Sequence, residues 1–209
     1  MKDGVKKLSE IVIKRYHSHR KANVFTVAIS GIDASGKGFV SDLLKQELES
    51  HGLKIANINI DPWQNPIPVR LQKENPVENF YQQVFRWDDF FSQLILPLKK
   101  NGGIYLETKL IRTDADEYYP FTYQFHKIDI LLIEGIFLFK NELLEHYDFT
   151  IWIDCSFATG LQRAIARNSE NLREEQLVRD YDTYYYPAQR YHFKKDNPRS
   201  KANYIYNNE

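Results

Sequence analysis

The chain has 209 residues, and its 28 Lys and Arg match its 28 Asp and Glu. Zero net charge argues against a general nucleic-acid binder or a polybasic membrane protein, and a single cysteine, Cys155, rules out an internal disulfide and a cysteine-based zinc site. With no leader-like apolar core at the start and no run near the ~18 apolar residues of a membrane span, the expectation is a soluble, cytoplasmic protein.

Taken in order, the elements predict one domain over 1–209, with a helix in 1–21 and a core and lid in 22–207. Val5, Leu8, Val12 and Tyr16 recur at three- and four-residue spacing, so an amphipathic helix opens the chain. Val24 to Ile29 is short, apolar and rich in β-branched residues, which predicts a strand buried on both faces. A glycine-containing turn follows, then a helix through Val40, Leu43, Leu44 and Leu48 that stops at Gly52. Ile55 to Ile60 reads as a second strand. Four prolines between Asp61 and Pro76 predict a long loop. Phe80 to Leu98 has helical periodicity and ends at Gly102-Gly103. Ile128 to Ile133 and Phe149 to Ile153 are further buried-type strands. Phe157 to Arg167 reads as a helix, and Glu174 to Tyr186 as another, cut by Pro187. Asn203 to Tyr206 closes as a short strand. Strands alternating with helices define an α/β protein with a mainly parallel sheet.

Gly31-Ile32-Asp33-Ala34-Ser35-Gly36-Lys37-Gly38 carries the clearest chemistry. It fits G-x-x-x-x-G-K between a predicted strand and a predicted helix, where curled backbone amides and a helix N-terminus cradle phosphate. Gly31, Asp33, Ala34, Ser35, Gly36, Lys37, Gly38 and Phe39 are the candidate nucleotide-binding residues, with Lys37 reaching the outer phosphates. The motif ordinarily closes with a Ser or Thr that ligates Mg²⁺. Here that position is Gly38. Either a water fills the place or phosphoryl transfer is impaired.

Glu134 stands at the C-terminal end of an apolar strand, the edge where open α/β sheets bind ligands, so it can face Mg²⁺. Asp61 follows another buried strand. It is a candidate general base toward an attacking hydroxyl and a second metal ligand. Trp63, two residues on, is the candidate substrate contact. Arg163 and Arg167 are four apart on one predicted helix face and can stabilise charge on a transferring phosphoryl group.

Together these stretches resemble the uridine kinase and phosphoribulokinase family of P-loop kinases, in order over roughly 22 to 207. The resemblance rests on Ala34-Ser35-Gly36-Lys37, on Asp61 after the second strand and on Phe85-Arg86-Trp87-Asp88-Asp89-Phe90. Ile133-Glu134-Gly135-Ile136, Leu161 to Asn168 and Pro198 to Tyr206 complete it. It implies a P-loop NTPase fold of nucleoside-kinase type, with a five-stranded parallel sheet flanked by helices and a helical lid. The implied activity is ATP- and Mg²⁺-dependent transfer to a small-molecule hydroxyl, with the uridine or cytidine 5′-hydroxyl as first expectation. No nucleic-acid or membrane partner is expected, and a homo-oligomer is left open. Two departures stand out. Gly38 replaces the metal-ligating hydroxyl, and the family's nucleoside-holding Pro-x-Tyr-Asp is replaced by Leu106-Glu107-Thr108-Lys109-Leu110. A sugar- or vitamin-like alcohol, or a nucleotide-binding module with weak or no transfer, are the alternative readings.

Overall fold

The computed structural model describes residues 2–19, 23–112, 116–168 and 172–209. The junction placed at 21 and 22 therefore lies outside the described residues. A five-stranded parallel sheet forms the centre. Its strands are β1 (Phe25–Gly31), β2 (Ile55–Asn59), β5 (Ile130–Glu134), β6 (Phe149–Asp154) and β7 (Tyr204–Asn207), in the order β2-β5-β1-β6-β7. All four pairings are parallel. β1 and β5 are buried at every position, as their unbroken apolar runs require.

Alternate residues of each strand feed two cores, because successive side chains point to opposite faces. Phe25, Val27 and Ile29, with Leu132 and Ile151, pack on Leu8 and Val12 of α1 (Lys2–Ser18) and on Leu44 and Leu48 of α2 (Lys37–Ser50). Ala28, Ile58, Leu131, Ile133 and Trp152 face the other way. They meet Phe80 and Tyr81 of α4 (Pro76–Gln83), Phe90 and Leu94 of α5 (87–101), and Ala188 of α7 (174–196). Burying each of the Val, Leu, Ile and Phe side chains among these contributes roughly 1.5–3 kcal/mol.

Three elements differ from the sequence expectation. Pro187 does not cut its helix. A π-helical turn at Tyr181–Tyr185 precedes it, closed by the Tyr186 amide on the Tyr181 carbonyl, and α7 runs on to Asp196. A proline ring would strike the carbonyl four residues earlier, and a wider turn moves that carbonyl aside. The same device, Phe90–Ile95, precedes Pro97 in α5. Second, the helix expected over Phe80 to Leu98 is interrupted. Gln64 and Phe85 form an isolated antiparallel bridge, and the Arg86 amide donates to the Trp63 carbonyl at 2.9 Å. Third, β3 (Ile104–Arg112) and β4 (Glu117–Phe125) form an antiparallel hairpin that the sequence reading did not anticipate. The proline-rich stretch contains a 3-10 turn at Asp61–Trp63 and the one-turn helix α3 (Ile67–Arg70). α6 (Phe157–Arg167) matches its expected bounds.

Candidate active site

The register brings the C-terminal ends of β2, β5 and β1 to one edge, with Asn59 beside Glu134 and Glu134 beside Ile29. β1 leaves that edge through the glycine-rich loop. A Cβ on Gly31 would lie 2.7 Å from both the Ile153 carbonyl oxygen and Ser35 Oγ, so only glycine lets the loop turn back. Ala34 (φ 54°) and Gly36 (φ 90°) adopt left-handed backbone, and a side chain at Gly36 would run into Asn208 Nδ2. Lys37 opens α2, where the first-turn amides have no intrahelical acceptor. Lys37 is 7% exposed, and its ammonium donates to the Ile32 carbonyl at 2.9 Å. Phe39 is exposed on the next turn.

α7 holds the loop from above. The Asp33 amide donates to Gln189 Oε1 at 2.9 Å, and the Tyr181 hydroxyl donates to Asp33 Oδ2. Asp33 Oδ1 also accepts from the Ala34 amide at 2.9 Å. A small apolar cluster of Ala34, Ala164, Leu177, Tyr181 and Tyr186 joins the loop to α6 and α7, the helices of the expected lid. On the outer side, Asn208 Nδ2 donates to the Ser35 carbonyl at 2.7 Å. Gln189, Tyr181 and Asn208 were missed in the sequence because no short motif marks residues that act on a loop more than a hundred positions away.

Glu134 is 6% exposed; its backbone carbonyl accepts from the Ile60 amide at 3.1 Å, while its carboxylate accepts no hydrogen bond from a described residue. Burial pushes its carboxyl up to about 8, the nearby Asp61 adds to the rise, and Lys37 opposes it. A Cβ on Gly38 would sit 3.4 Å from Glu134 Oε1, so this carboxylate faces the place where the motif ordinarily carries its hydroxyl. Among the described residues, no group of three metal-ligating side chains exists. A buried, unpartnered carboxylate with Asp61 nearby suits a divalent cation held mainly by phosphate oxygens and water, the usual mode of Mg²⁺.

Asp61 and Asp33 line one cleft of about 1040 Å³. The Asp61 amide donates to Asn59 Oδ1 at 2.7 Å, fixing the start of the 3-10 turn. The cleft is closed by the hairpin residues Ile111 and Tyr119, by Tyr184 and Tyr185 of α7, and by Arg167. The structure separates the two helix arginines. Arg167 lines the cleft, whereas Arg163 donates to the Asn208 carbonyl at 2.8 Å and lies against Cys155. The structure does not bring Trp63, the expected substrate contact, to the lining of the cleft. The side chain is fully buried, and its indole N–H donates to the Tyr123 hydroxyl at 3.0 Å. The hairpin that supplies Tyr123 covers the face that the sequence reading left open to a ligand.

No protein-family model matches the chain, and no curated protein sequence does. Solved structures do. A candidate uridine kinase from Bacillus stearothermophilus superimposes with TM-score 0.76 at 20% identity, covering 98% of this chain and 97% of that one. A candidate fructose transport system kinase from a Silicibacter species gives 0.76 at 18% identity, with 97% and 98% covered. A D-glycerate 3-kinase from Cryptococcus neoformans gives 0.63 at 14% identity, with 88% and 87% covered. The chain therefore shares the α/β fold of these P-loop kinase structures, the uridine kinase-like one among them. No described helix is long and apolar enough to cross a membrane.

Proposed function

We propose that the protein is an ATP-dependent phosphotransferase acting on a hydroxyl of a small molecule. The observation that carries this reading is the convergence, at one sheet edge, of the phosphate loop, buried Glu134 and the Asp61 cleft. The loop amides and Lys37 hold the ATP phosphates. Glu134 is the side chain that would hold Mg²⁺, which when bound neutralises phosphate charge, and Asp61 is left to the acceptor hydroxyl. In the transfer step the acceptor oxygen forms a bond to the γ-phosphorus. The bond from that phosphorus to the β–γ bridging oxygen breaks, ADP leaves with the electron pair, and the hydroxyl proton passes to Asp61. Arg167, on the cleft wall, meets charge on the moving group. Such catalysis is positioning and charge stabilisation.

Uridine, fructose and D-glycerate are the first acceptors to test, on the names of the structural neighbours, and cytidine on the sequence resemblance. Gly38 favours a second reading, a nucleotide-binding module with weak or no transfer. Asp61→Asn separates roles within the first. In an active enzyme it lowers kcat by about 10²-fold or more while the Kd for ATP stays within about twofold. An equal loss of ATP binding would make Asp61 a metal or structural residue instead of the base.

A further inference from the structure

Arg163 was expected to meet the transferring group, but it is absent from the cleft lining and makes another contact. Its Nη1 donates to the Asn208 carbonyl at 2.8 Å and lies 3.5 Å from Cys155 Sγ. On the other side of the same residue, the Asn208 amide donates to the Asp154 carbonyl at 2.9 Å, just beyond the β6–β7 ladder. The next residue is held as well. Glu209 accepts from the Ser156 amide and hydroxyl, both at 2.7 Å, and from the Thr159 hydroxyl at 2.6 Å, across the start of α6. The Asn208 backbone is thus fixed, and its Nδ2 donates to the Ser35 carbonyl at 2.7 Å. The loop is shaped to receive it, because left-handed Gly36 (φ 90°) puts no side chain where Nδ2 sits. A peptide unit is planar, and every described one here is trans, so its C=O and N–H point in opposite directions. Holding the Ser35 carbonyl outward on Asn208 therefore turns the Gly36 N–H inward, to the concave side where loop amides meet phosphate.

We propose that Asn208 is a positioning residue for the nucleotide phosphates: it aims the Gly36 amide at them, and Arg163 acts on them only through Asn208. This deepens the phosphotransferase reading and rests on its nucleotide-binding part alone. Without Nδ2 the Ser35–Gly36 peptide unit can turn about its flanking bonds, and glycine at 36 makes that turn easy. The amide is then correctly aimed for only part of the time, and nucleotide binding has to order it, which weakens the apparent affinity. Asn208→Asp is the harsher change, since it sets a carboxylate oxygen against the Ser35 carbonyl oxygen. Arg163 holds the Asn208 main chain from α6, so its removal loosens the same peptide unit at one remove.

The test is calorimetric titration of ADP with Mg²⁺ onto the native chain, Asn208→Ala, Asn208→Asp, Arg163→Ala and the double variant Asn208→Ala/Arg163→Ala. Melting curves without nucleotide verify that each is folded. Where one is not, the milder Asn208→Ser or Arg163→Lys takes its place and is read in the same direction. Asn208→Ala is expected to raise the Kd for ADP about tenfold, the effect of one hydrogen bond to a charged group. Asn208→Asp raises it further. Arg163→Ala raises it about threefold or more, and the double variant stays within about twofold of Asn208→Ala, because the arginine then has nothing left to position. A merely structural role would lower the nucleotide-free melting temperature and leave the ADP affinity of the folded variants unchanged. An Asn208→Ala affinity within about twofold of native therefore overturns the inference. So do losses from the two single variants that multiply in the double one, which would mean that Arg163 meets the phosphates directly. In both cases ADP binding by the native chain leaves the nucleotide-binding reading standing. No ADP binding by the native chain overturns that reading, and this inference with it.

Discussion

Trp63 gives the sharpest test of how the site is built. Its ring is fully buried, lies 6.2 Å from Tyr123 in a stacked arrangement and meets Phe90 edge-on at 5.6 Å. The Arg86 guanidinium sits over the ring, 5.0 Å from its centroid. Trp63→Ala removes this packing and leaves a cavity, at a cost of about 3–5 kcal/mol. In a chain of this size each kcal/mol lowers Tm by about 2–4 °C, so a fall of roughly 6–20 °C is expected. Trp63→Phe keeps much of the aromatic fill but loses the N–H that Tyr123 accepts. That costs about 1–2 kcal/mol, or roughly 2–8 °C by the same conversion. Thermal melts followed by circular dichroism, beside acceptor KM for the folded variants, make the measurement. If Trp63→Phe melted with the native protein while acceptor KM rose tenfold, the indole would be a ligand contact and the packing account would be wrong.

Two other changes have defined outcomes. Gly38→Thr fits the observed backbone, since Gly38 is outside the positive-φ region and a Cβ there makes only ordinary contact with Glu134. It restores the missing hydroxyl, and the Mg²⁺ concentration for half-maximal turnover should fall about tenfold; unchanged metal titrations would show that this position does not meet the metal. Lys140 is 2% exposed, with its ammonium 4.1 Å from the Tyr81 ring centroid and 4.9 Å from that of Trp87. Burial pulls it down to about 8. Between that value and the ordinary lysine value the unfolded chain binds the proton more tightly. The destabilising contribution is therefore fully present below about pH 8 and is lost as pH rises toward the unfolded value, by up to about 1.4 kcal/mol per pH unit. Lys140→Met lacks this titration, so native stability should gain on that variant between pH 7 and 9.5. Parallel denaturant curves at the two pH values check it, and a constant gap would contradict the assignment.

Much of this was legible because it is local. The unbroken apolar runs of β1 and β5 specify strands buried on both faces, and the loop glycines specify a turn that few other sequences make. The position of Glu134 was legible because a carboxylate ending such a strand must lie at the sheet edge. The hairpin was not found, although Ile104, Leu106, Thr108 and Leu110 alternate with Tyr105, Glu107 and Lys109. Pro120 hid its second strand, and a two-stranded ribbon tolerates a proline at its free edge. That omission also misplaced Trp63, since Tyr123 arrives from the hairpin. Asn208 escaped because only the fold brings the residue after β7 to the phosphate loop. Pro187 misled differently. A proline marks a helix end only when the preceding turn cannot widen, and here it widens.

The central claim is that the phosphate loop transfers a phosphoryl group to an alcohol. The most direct measurement follows the label of γ-³²P-ATP into acceptors spanning nucleosides, sugars, hydroxy acids and sugar phosphates, for the native chain and Lys37→Ala. The account predicts labelled acceptor from at least one of them and a loss of about 10²-fold or more in Lys37→Ala, because the lysine meets charge on the outer phosphates. Label released only as inorganic phosphate, or equal transfer by Lys37→Ala, would contradict it.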